Sequence, residues 1–200
     1  MSTLTITTIQ TNLHWEDKIA NLQMLEQKIN SIKEKTEIIV LPEMFSTGFS
    51  MKTETLAETM EGETVKWMKR IAAEKKIILT GSFICRDVAP SPSEHSSGAK
   101  DGSEARGGEV YYNRLIWMQP NGQYGVYDKR HCFAFAGEDE HYTAGTKRLI
   151  ASVKGWKINL LVCYDLRFPV WARQTPLTPT PLHPANWRER GEQQPPSTTY

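Results

Sequence analysis

The sequence has few cysteines, and none of them has the spacing of a paired motif. Only three of the 200 residues are cysteine, namely Cys85, Cys132 and Cys163, and no two of them are spaced as CxxC. Three thiols cannot all be joined in disulfides, so this usage suits a reducing compartment and free thiols. We therefore expect a cytoplasmic protein in which a thiol is available for chemistry.

Long apolar runs and charge of one sign are also lacking. The sequence contains no run of 18 apolar residues and no hydrophobic segment of a secretion signal near residue 1, which argues against a membrane protein. The formal net charge is only +1, and no block of basic residues stands out. This balance argues against nucleic acid or an anionic membrane as a partner.

What the sequence does contain is an alternation of strand-like and helix-like patterns. Apolar spacing predicts strands over 4–9, 38–41 and 77–83, with helices over 15–33 and 62–75 between them. Short joints between such elements imply parallel pairing and an α/β architecture. Residues 111–118 and 124–128 flank an Asn-Gly pair, which predicts an antiparallel hairpin because this pair tolerates the positive φ of a tight turn.

Two segments depart from this pattern. Residues 87–108 are rich in proline, serine and glycine, which predicts a disordered surface insertion. Four prolines fall within residues 175–184, which excludes a central strand or helix there. We therefore expect one domain over residues 1–173, interrupted at 87–108 and followed by an atypical Pro-rich tail at 174–200.

Three chemically active side chains each follow a strand-like segment. Cys163 comes after the apolar run 158–162, Glu43 follows 38–41, and Lys129 follows 124–128. Strand ends are where α/β folds place their chemistry. A cysteine nucleophile needs a base and a positive charge beside it, which Glu43 and Lys129 can supply. The alternative is a core cysteine, a loop carboxylate and a solvated charged turn.

The remaining candidates also leave alternatives open. Glu138 begins the acidic sequence Glu-Asp-Glu, which is typical of a surface loop but can also add a carboxylate to a site. His131 and His141 allow a Cys–His protease or, with Cys132, a metal or thiol-redox site. No second pair of ligands with finger-like spacing accompanies them.

Several segments together resemble the carbon–nitrogen hydrolase (nitrilase) superfamily, and most closely its omega-amidase branch, the 2-oxoglutaramate amidases. These segments are 10–17, 41–49, 127–131, 138–145 and 163–171. The resemblance implies an α/β fold, specifically a four-layer α-β-β-α sandwich. It also implies a catalytic triad formed by Glu43, Lys129 and Cys163.

The resemblance further implies a role for each site residue. Cys163 attacks an amide carbon and forms a thioester, with Glu43 as general base. Lys129 stabilises the oxyanion, together with the backbone N–H of Tyr164. Glu138 matches a second glutamate that orients the lysine and the substrate.

The implied partner is a small-molecule amide substrate, the monoamide of a short oxo-dicarboxylic acid, which is hydrolysed with release of ammonia. No metal or organic cofactor is implied, and a homodimer is expected. Arg167 is a candidate for binding the far carboxylate of the substrate, and a structural ion pair is the alternative role.

The C-terminal part departs from the family pattern. Residues 185–187 match a family motif, but the Pro-rich sequence 175–184 stands where the family has a strand, and family members continue further. The alternative function is therefore a catalytically inactive, truncated homologue that folds partly or pairs with a full-length partner.

Overall fold

A computed structural model describes residues 3–88 and 108–173 of the chain. Its strands are β1 Ile6–Thr8, β2 Ile38–Val40, β3 Ile78–Val88, β4 Glu109–Met118, β5 Tyr124–Asp128, β6 Ile150–Val153 and β7 Trp156–Asn159. Its α-helices are α1 Lys18–Ser31, α2 Thr53–Leu56, α3 Glu63–Lys75, α4 Glu138–His141 and α5 Pro169–Ala172. Two 3-10 helices, η1 Ala134–Ala136 and η2 Cys163–Arg167, complete the described elements.

The central element is a five-stranded sheet in the order β1-β2-β3-β4-β5. The pairs β1–β2 and β2–β3 are parallel, as the short joints predict. The pairs β3–β4 and β4–β5 are antiparallel, and Gly122 has φ +82 in the turn between β4 and β5, so the predicted hairpin is confirmed. As a result β5 runs parallel to β2, and the two strands end at the same edge of the sheet.

The two faces of this sheet are covered by different layers. Alternation of side chains sends Ile39 and Ile116 to one face, where they pack with Leu25 of α1 and Ile71 of α3. The opposite face is covered by the β6–β7 hairpin, which packs through residues such as Ala151. Among the described residues, helices, five-stranded sheet and hairpin form three successive layers of the expected α-β-β-α sandwich.

The ends of the two long helices follow from local sequence. Asp17 precedes α1 and accepts a hydrogen bond from the N–H of Ala20 at 3.0 Å, a side-chain cap that fixes the first turn. Helix α1 is therefore shorter than the predicted 15–33. Helix α3 ends as predicted at Lys75, and Lys76 adopts a left-handed conformation with φ +55.

The predicted start of the insertion, at residue 87, is wrong. Strand β3 continues to Val88, so residues 87 and 88 belong to the sheet and not to the insertion. The rest of that prediction, 89–107, and the tail at 174–200 lie outside the described residues.

The strand predicted at 158–162 is displaced toward the N-terminus. It is β7, which ends at Asn159 and pairs, among the described residues, with β6. Leu160 and Val162 are buried, but the N–H of Val162 donates to the side chain of Asp165 at 3.1 Å instead of to a strand partner. No helix of the described ranges is long and apolar enough to cross a membrane.

Candidate active site

The structure brings Glu43 and Lys129 together at one edge of the central sheet. Glu43 lies just beyond β2, Lys129 follows β5 directly, and both strands end at this edge. Lys129 Nζ lies 2.8 Å from Glu43 Oε1, so the two side chains form an ion pair. A shared sheet edge therefore joins two residues that are 86 positions apart in sequence.

Glu138 is the second carboxylate of this cluster. It begins α4 and is fully buried, which excludes the surface-loop interpretation of the acidic sequence. Lys129 Nζ lies 3.0 and 2.8 Å from its two carboxylate oxygens, and the N–H of Phe133 donates to Oε2 at 2.5 Å. Glu138 therefore holds the same ammonium group as Glu43, through both of its carboxylate oxygens.

Asn113 is a site residue that the sequence analysis missed. It lies in β4 beside Lys129, whose backbone N–H donates to the carbonyl of Asn113 at 3.0 Å. Its Nδ2 donates to Oε1 of Glu43 at 2.8 Å and to Oε1 of Glu138 at 3.0 Å. The signal in the sequence was an amide in a strand otherwise rich in aromatic and apolar residues, since a buried amide in a sheet requires partners.

Lys129 remains a cation despite its burial, with only 1% of its side chain exposed. Burial lowers the pKa of Lys129, but the charge of Glu43 and the hydrogen bonds that Lys129 donates to both carboxylates outweigh it and raise the pKa above its ordinary value of 10.5. The ring of Phe49 lies 5.3 Å from the ammonium nitrogen and covers another side of it. The site thus contains a fixed positive charge.

Cys163 opens the 3-10 helix η2 in a rarely occupied backbone conformation. Its φ is +43, and Met44, which follows Glu43, has φ +46. A non-glycine residue in this region costs about 1–3 kcal/mol and persists only where the surroundings impose it, which is common at functional sites. The residue is exposed, so the thiol is accessible.

The electrostatic surroundings of Cys163 favour the neutral thiol. Burial raises the pKa of Cys163 above its ordinary value, the charge and hydrogen bonding of Glu43 raise it further, and Lys129 opposes this change. At neutral pH the group is therefore a thiol that needs a base to become a nucleophile. Among the charged groups that act on this thiol, Glu43 has the largest effect.

A cleft of about 310 Å³ lies beside the nucleophile and is lined by Phe133, Cys163, Tyr164, Leu166 and Arg167. The ring of Tyr164 packs edge-on against Phe133 at 4.9 Å. Its backbone N–H lies in the first turn of η2, where N–H groups have no partner within the helix. Arg167 is exposed and forms no ion pair with any residue of the described ranges, unlike the structural role considered for it.

The histidine and second cysteine singled out in the sequence have other partners. His131 Nδ1 lies 2.8 Å from Asp165 Oδ1, so His131 pairs with a carboxylate. Cys132 Sγ lies 3.9 Å from the carbonyl of Tyr142, and burial raises the pKa of this thiol to about 11. Within residues 3–88 and 108–173, no group of three or more His, Cys, Asp or Glu side chains is arranged to hold a metal ion.

Fold and site together define an α/β protein with a cysteine, two carboxylates and a lysine at one sheet edge. The family model described as Carbon-nitrogen hydrolase matches residues 5–195. The chain belongs to the carbon–nitrogen hydrolase family, as the sequence segments predict.

Several curated relatives of the chain are amidases. The chain is 37% identical to the omega-amidase YafV of Yersinia enterocolitica, over 94% of this chain and 64% of that protein. It is 36% identical to the omega-amidase YafV of Escherichia coli K12 with the same coverage, and 24% identical to the 2-oxoglutaramate amidase of Bacillus subtilis over 85% of this chain and 59% of that one. The chain thus spans less than two thirds of the length of these relatives.

Solved structures show the same fold. XC1258 from Xanthomonas campestris, a CN-hydrolase superfamily protein with an arsenic adduct in its active site, superposes with a TM-score of 0.71 at 36% identity, over 86% of this chain and 58% of that chain. Nit3 of Saccharomyces cerevisiae, a nitrilase superfamily member, gives 0.63 at 25% identity, over 84% and 58%. The predicted nitrilase-type α/β sandwich is confirmed.

Proposed function

We propose that this protein is an amidohydrolase that cleaves the terminal amide of a short oxo-dicarboxylic acid monoamide through a cysteine thioester and releases ammonia. The observation that carries this proposal is the cluster in which Lys129 Nζ contacts Glu43 and Glu138, while the charges of Glu43 and Lys129 act on the Cys163 thiol. A nucleophile, its base and a fixed cation are the three groups that amide cleavage by a thiol requires.

In the first step, Glu43 takes the thiol proton while the sulfur of Cys163 attacks the amide carbon. Negative charge develops on the amide oxygen, where the ammonium of Lys129 and the N–H of Tyr164 stabilise it. The tetrahedral intermediate collapses as the C–N bond breaks. Glu43 returns its proton to the leaving nitrogen, so ammonia departs and a thioester remains.

In the second step, water replaces ammonia. Glu43 accepts a proton from the water, whose oxygen attacks the thioester carbon and again places charge beside Lys129. The C–S bond breaks, the thiolate recovers its proton through Glu43, and the product leaves as a carboxylic acid that releases its remaining proton to solvent. The thiol, the carboxylate and the ammonium supply every proton and charge, so the reaction needs no metal or organic cofactor.

Glu138 has a different task from Glu43, although both are carboxylates on the same ammonium. It is fully buried and bonded by Lys129, Asn113 and the N–H of Phe133, which leaves little access for substrate. We assign it to holding Lys129 as a correctly aimed cation and to fixing the wall behind the substrate amide.

The substrate class is supported by the names of the relatives and by the charge of the cleft. Two relatives are named omega-amidase and one 2-oxoglutaramate amidase. Glu43, Glu138 and Lys129 together carry a net negative charge, which repels a substrate carboxylate unless a cation offsets it. Arg167 lines the cleft beside Cys163 and supplies that cation, so we assign it to the far carboxylate.

The test is ammonia release from 2-oxoglutaramate by purified protein beside a Cys163→Ala variant. Turnover that the variant abolishes supports the amidase, because no other residue replaces the nucleophile. No turnover by folded wild-type protein would overturn the proposal. Homodimerisation and a cytoplasmic location stay predictions, which sedimentation and fractionation test.

A further inference from the structure

Asp165 is a buried carboxylate that the proposed reaction does not use. It lies two residues after Cys163 and has none of its surface exposed. Its Oδ1 accepts from the backbone N–H of His131 at 2.8 Å and faces Nδ1 of the same residue at 2.8 Å. Its Oδ2 accepts from the hydroxyl of Tyr127 at 2.7 Å and from the N–H of Val162 at 3.1 Å.

The partners of Asp165 are placed symmetrically about the catalytic lysine. Tyr127 stands two residues before Lys129, and His131 stands two residues after it. One carboxylate on the nucleophile turn therefore bonds to both sides of the segment that carries the ammonium. We infer that Asp165 is a positioning residue that holds the Cys163 turn in register with Lys129, so that sulfur and ammonium reach the same carbonyl group.

The same carboxylate closes the turn around the nucleophile. The N–H of Asp165 donates to the carbonyl of Val162 at 3.1 Å, while the N–H of Val162 donates to the side chain of Asp165. Cys163 lies inside this reciprocal pair with φ +43. Two bonds across three residues explain how a conformation that costs about 1–3 kcal/mol is maintained.

Aromatic residues support the carboxylate from the other side. Trp171 Nε1 donates to the hydroxyl of Tyr127 at 2.9 Å, so that hydroxyl has both a donor and an acceptor partner. The His131 ring stacks on Phe168 with centroids 3.7 Å apart and planes 6° apart. Both supports come from residues shortly after η2, so nucleophile, carboxylate and support belong to one short segment, 163–171.

The test, which rests on the proposed amidase function, uses Tyr127→Phe and Asp165→Asn. Tyr127→Phe removes a single donor and keeps the ring, so it remains informative where Asp165→Asn does not fold. We expect Tyr127→Phe to lower kcat about tenfold or more with KM within about twofold, because misalignment weakens the transition state and not substrate binding.

A second measurement reports on the ionisation of the Cys163 thiol. The pH dependence of Cys163 alkylation by iodoacetamide is measured in both variants, with mass spectrometry to assign the site. In the wild type, Glu43, Glu138 and Lys129 face the thiol, and burial and the carboxylates keep its pKa high. If the turn is released, the midpoint of alkylation moves down toward that of an ordinary thiol.

Trp67→Phe is the control variant away from the site. Like Tyr127→Phe, it removes a hydrogen bond from an aromatic side chain to a carboxylate, here from Nε1 to Glu26 at 3.0 Å on the helix face of the sheet. We expect it to lower the melting temperature and to leave kcat and the alkylation midpoint unchanged. Wild-type kcat or a wild-type midpoint in folded Tyr127→Phe would overturn the inference. If wild-type protein hydrolyses no amide, the proposed function fails, and the alkylation midpoints still decide the role of Asp165.

Discussion

At the residue scale, the two carboxylates of the site differ in how many of their oxygens accept hydrogen bonds from Lys129 and its neighbours. Lys129 and Asn113 both donate to Oε1 of Glu43, and both also donate to Oε1 of Glu138. The second oxygen of Glu138 is taken by Lys129 and the N–H of Phe133. In the proposed reaction the second oxygen of Glu43 accepts the thiol proton, which distinguishes the base from the structural carboxylate.

Asn113 is expected to be essential for this division of roles. Asn113→Ala removes the neutral donor from both carboxylates and should lower kcat about tenfold, which is 1.4 kcal/mol of transition-state stabilisation. Asn113→Asp should lower it further, because three carboxylates then compete for one ammonium. Steady-state kinetics measure both, with Asn121→Ala in the exposed hairpin turn as control. Equal activity of Asn113→Asp and wild type would contradict this role.

Arg167 is expected to determine substrate choice. Arg167→Gln should raise KM for a dicarboxylic acid monoamide about tenfold or more, because a hydrogen bond to a charged group contributes about 1.5–3 kcal/mol. It should have little effect on a neutral amide of the same length that lacks the far carboxylate. Arg173→Gln, outside the cleft lining, is the control. An equal rise in KM for both substrates would exclude carboxylate binding by Arg167.

At the element scale, the site is a product of strand direction. Strands β2 and β5 end at one edge of the sheet, and antiparallel β4 begins there, so Glu43, Lys129 and Asn113 meet without a long loop. The position of Lys129 is also fixed by the segment that returns after α4. The N–H of Gly145 donates to the carbonyl of Lys129 at 2.8 Å.

Gly145 is expected to tolerate no side chain. A Cβ at this position would collide with the backbone carbonyl of Asp128, the residue before Lys129. Gly145→Ala must therefore shift the backbone that carries the ammonium, and we expect kcat to fall about tenfold with a loss of about 1–3 kcal/mol in unfolding free energy. Gly108→Ala, where no atom lies within 4 Å, is the control. Unchanged kcat and KM in Gly145→Ala would show that the backbone around residue 145 accommodates the added methyl group without moving Lys129.

The strands and helices that could be predicted are those with a strong local pattern. The α1 and α3 helices and the β4–β5 hairpin have clear periodicity or turn residues, and the structure confirms them. The strand before Cys163 was predicted at the wrong residues, because an apolar run looks the same in sequence whether its backbone pairs with a strand or with a side chain. Asp165 replaces the strand partner there, and a bond between residues three apart leaves no periodic signal.

The residues of the candidate site also differ in whether the sequence could predict them. Glu43, Lys129 and Cys163 were predictable because each follows a strand-like segment and lies in a segment that resembles a known family. Asn113 and Asp165 were not, because their roles depend on contacts across the sheet and between elements. A buried polar residue in a strand indicates only that partners exist, and not which partners they are.

At the scale of the whole molecule, four groups with raised pKa values make the free energy of unfolding depend on pH in the same direction. Burial lowers the pKa of Lys129, but its carboxylate partners outweigh this effect and raise that pKa, whereas burial itself raises the pKa of the thiols of Cys163, Cys132 and Cys85. A raised pKa means that the folded state holds the proton more tightly than the unfolded chain. The stabilisation is therefore complete below the ordinary pKa and is lost as pH rises through the folded one.

Cys85 is the group that tests this dependence without touching the site. It is fully buried in the core on the helix side of the sheet, and burial raises its pKa from 9.0 to about 12. Between pH 9 and 11 it titrates only in the unfolded chain, which costs about 1.4 kcal/mol of unfolding free energy per pH unit. We expect Cys85→Ser, which keeps a small polar group, to show a slope shallower by about this amount in urea unfolding at pH 8 to 11. Identical slopes for wild type and Cys85→Ser would show that this thiol is already exchanging its proton in the folded state.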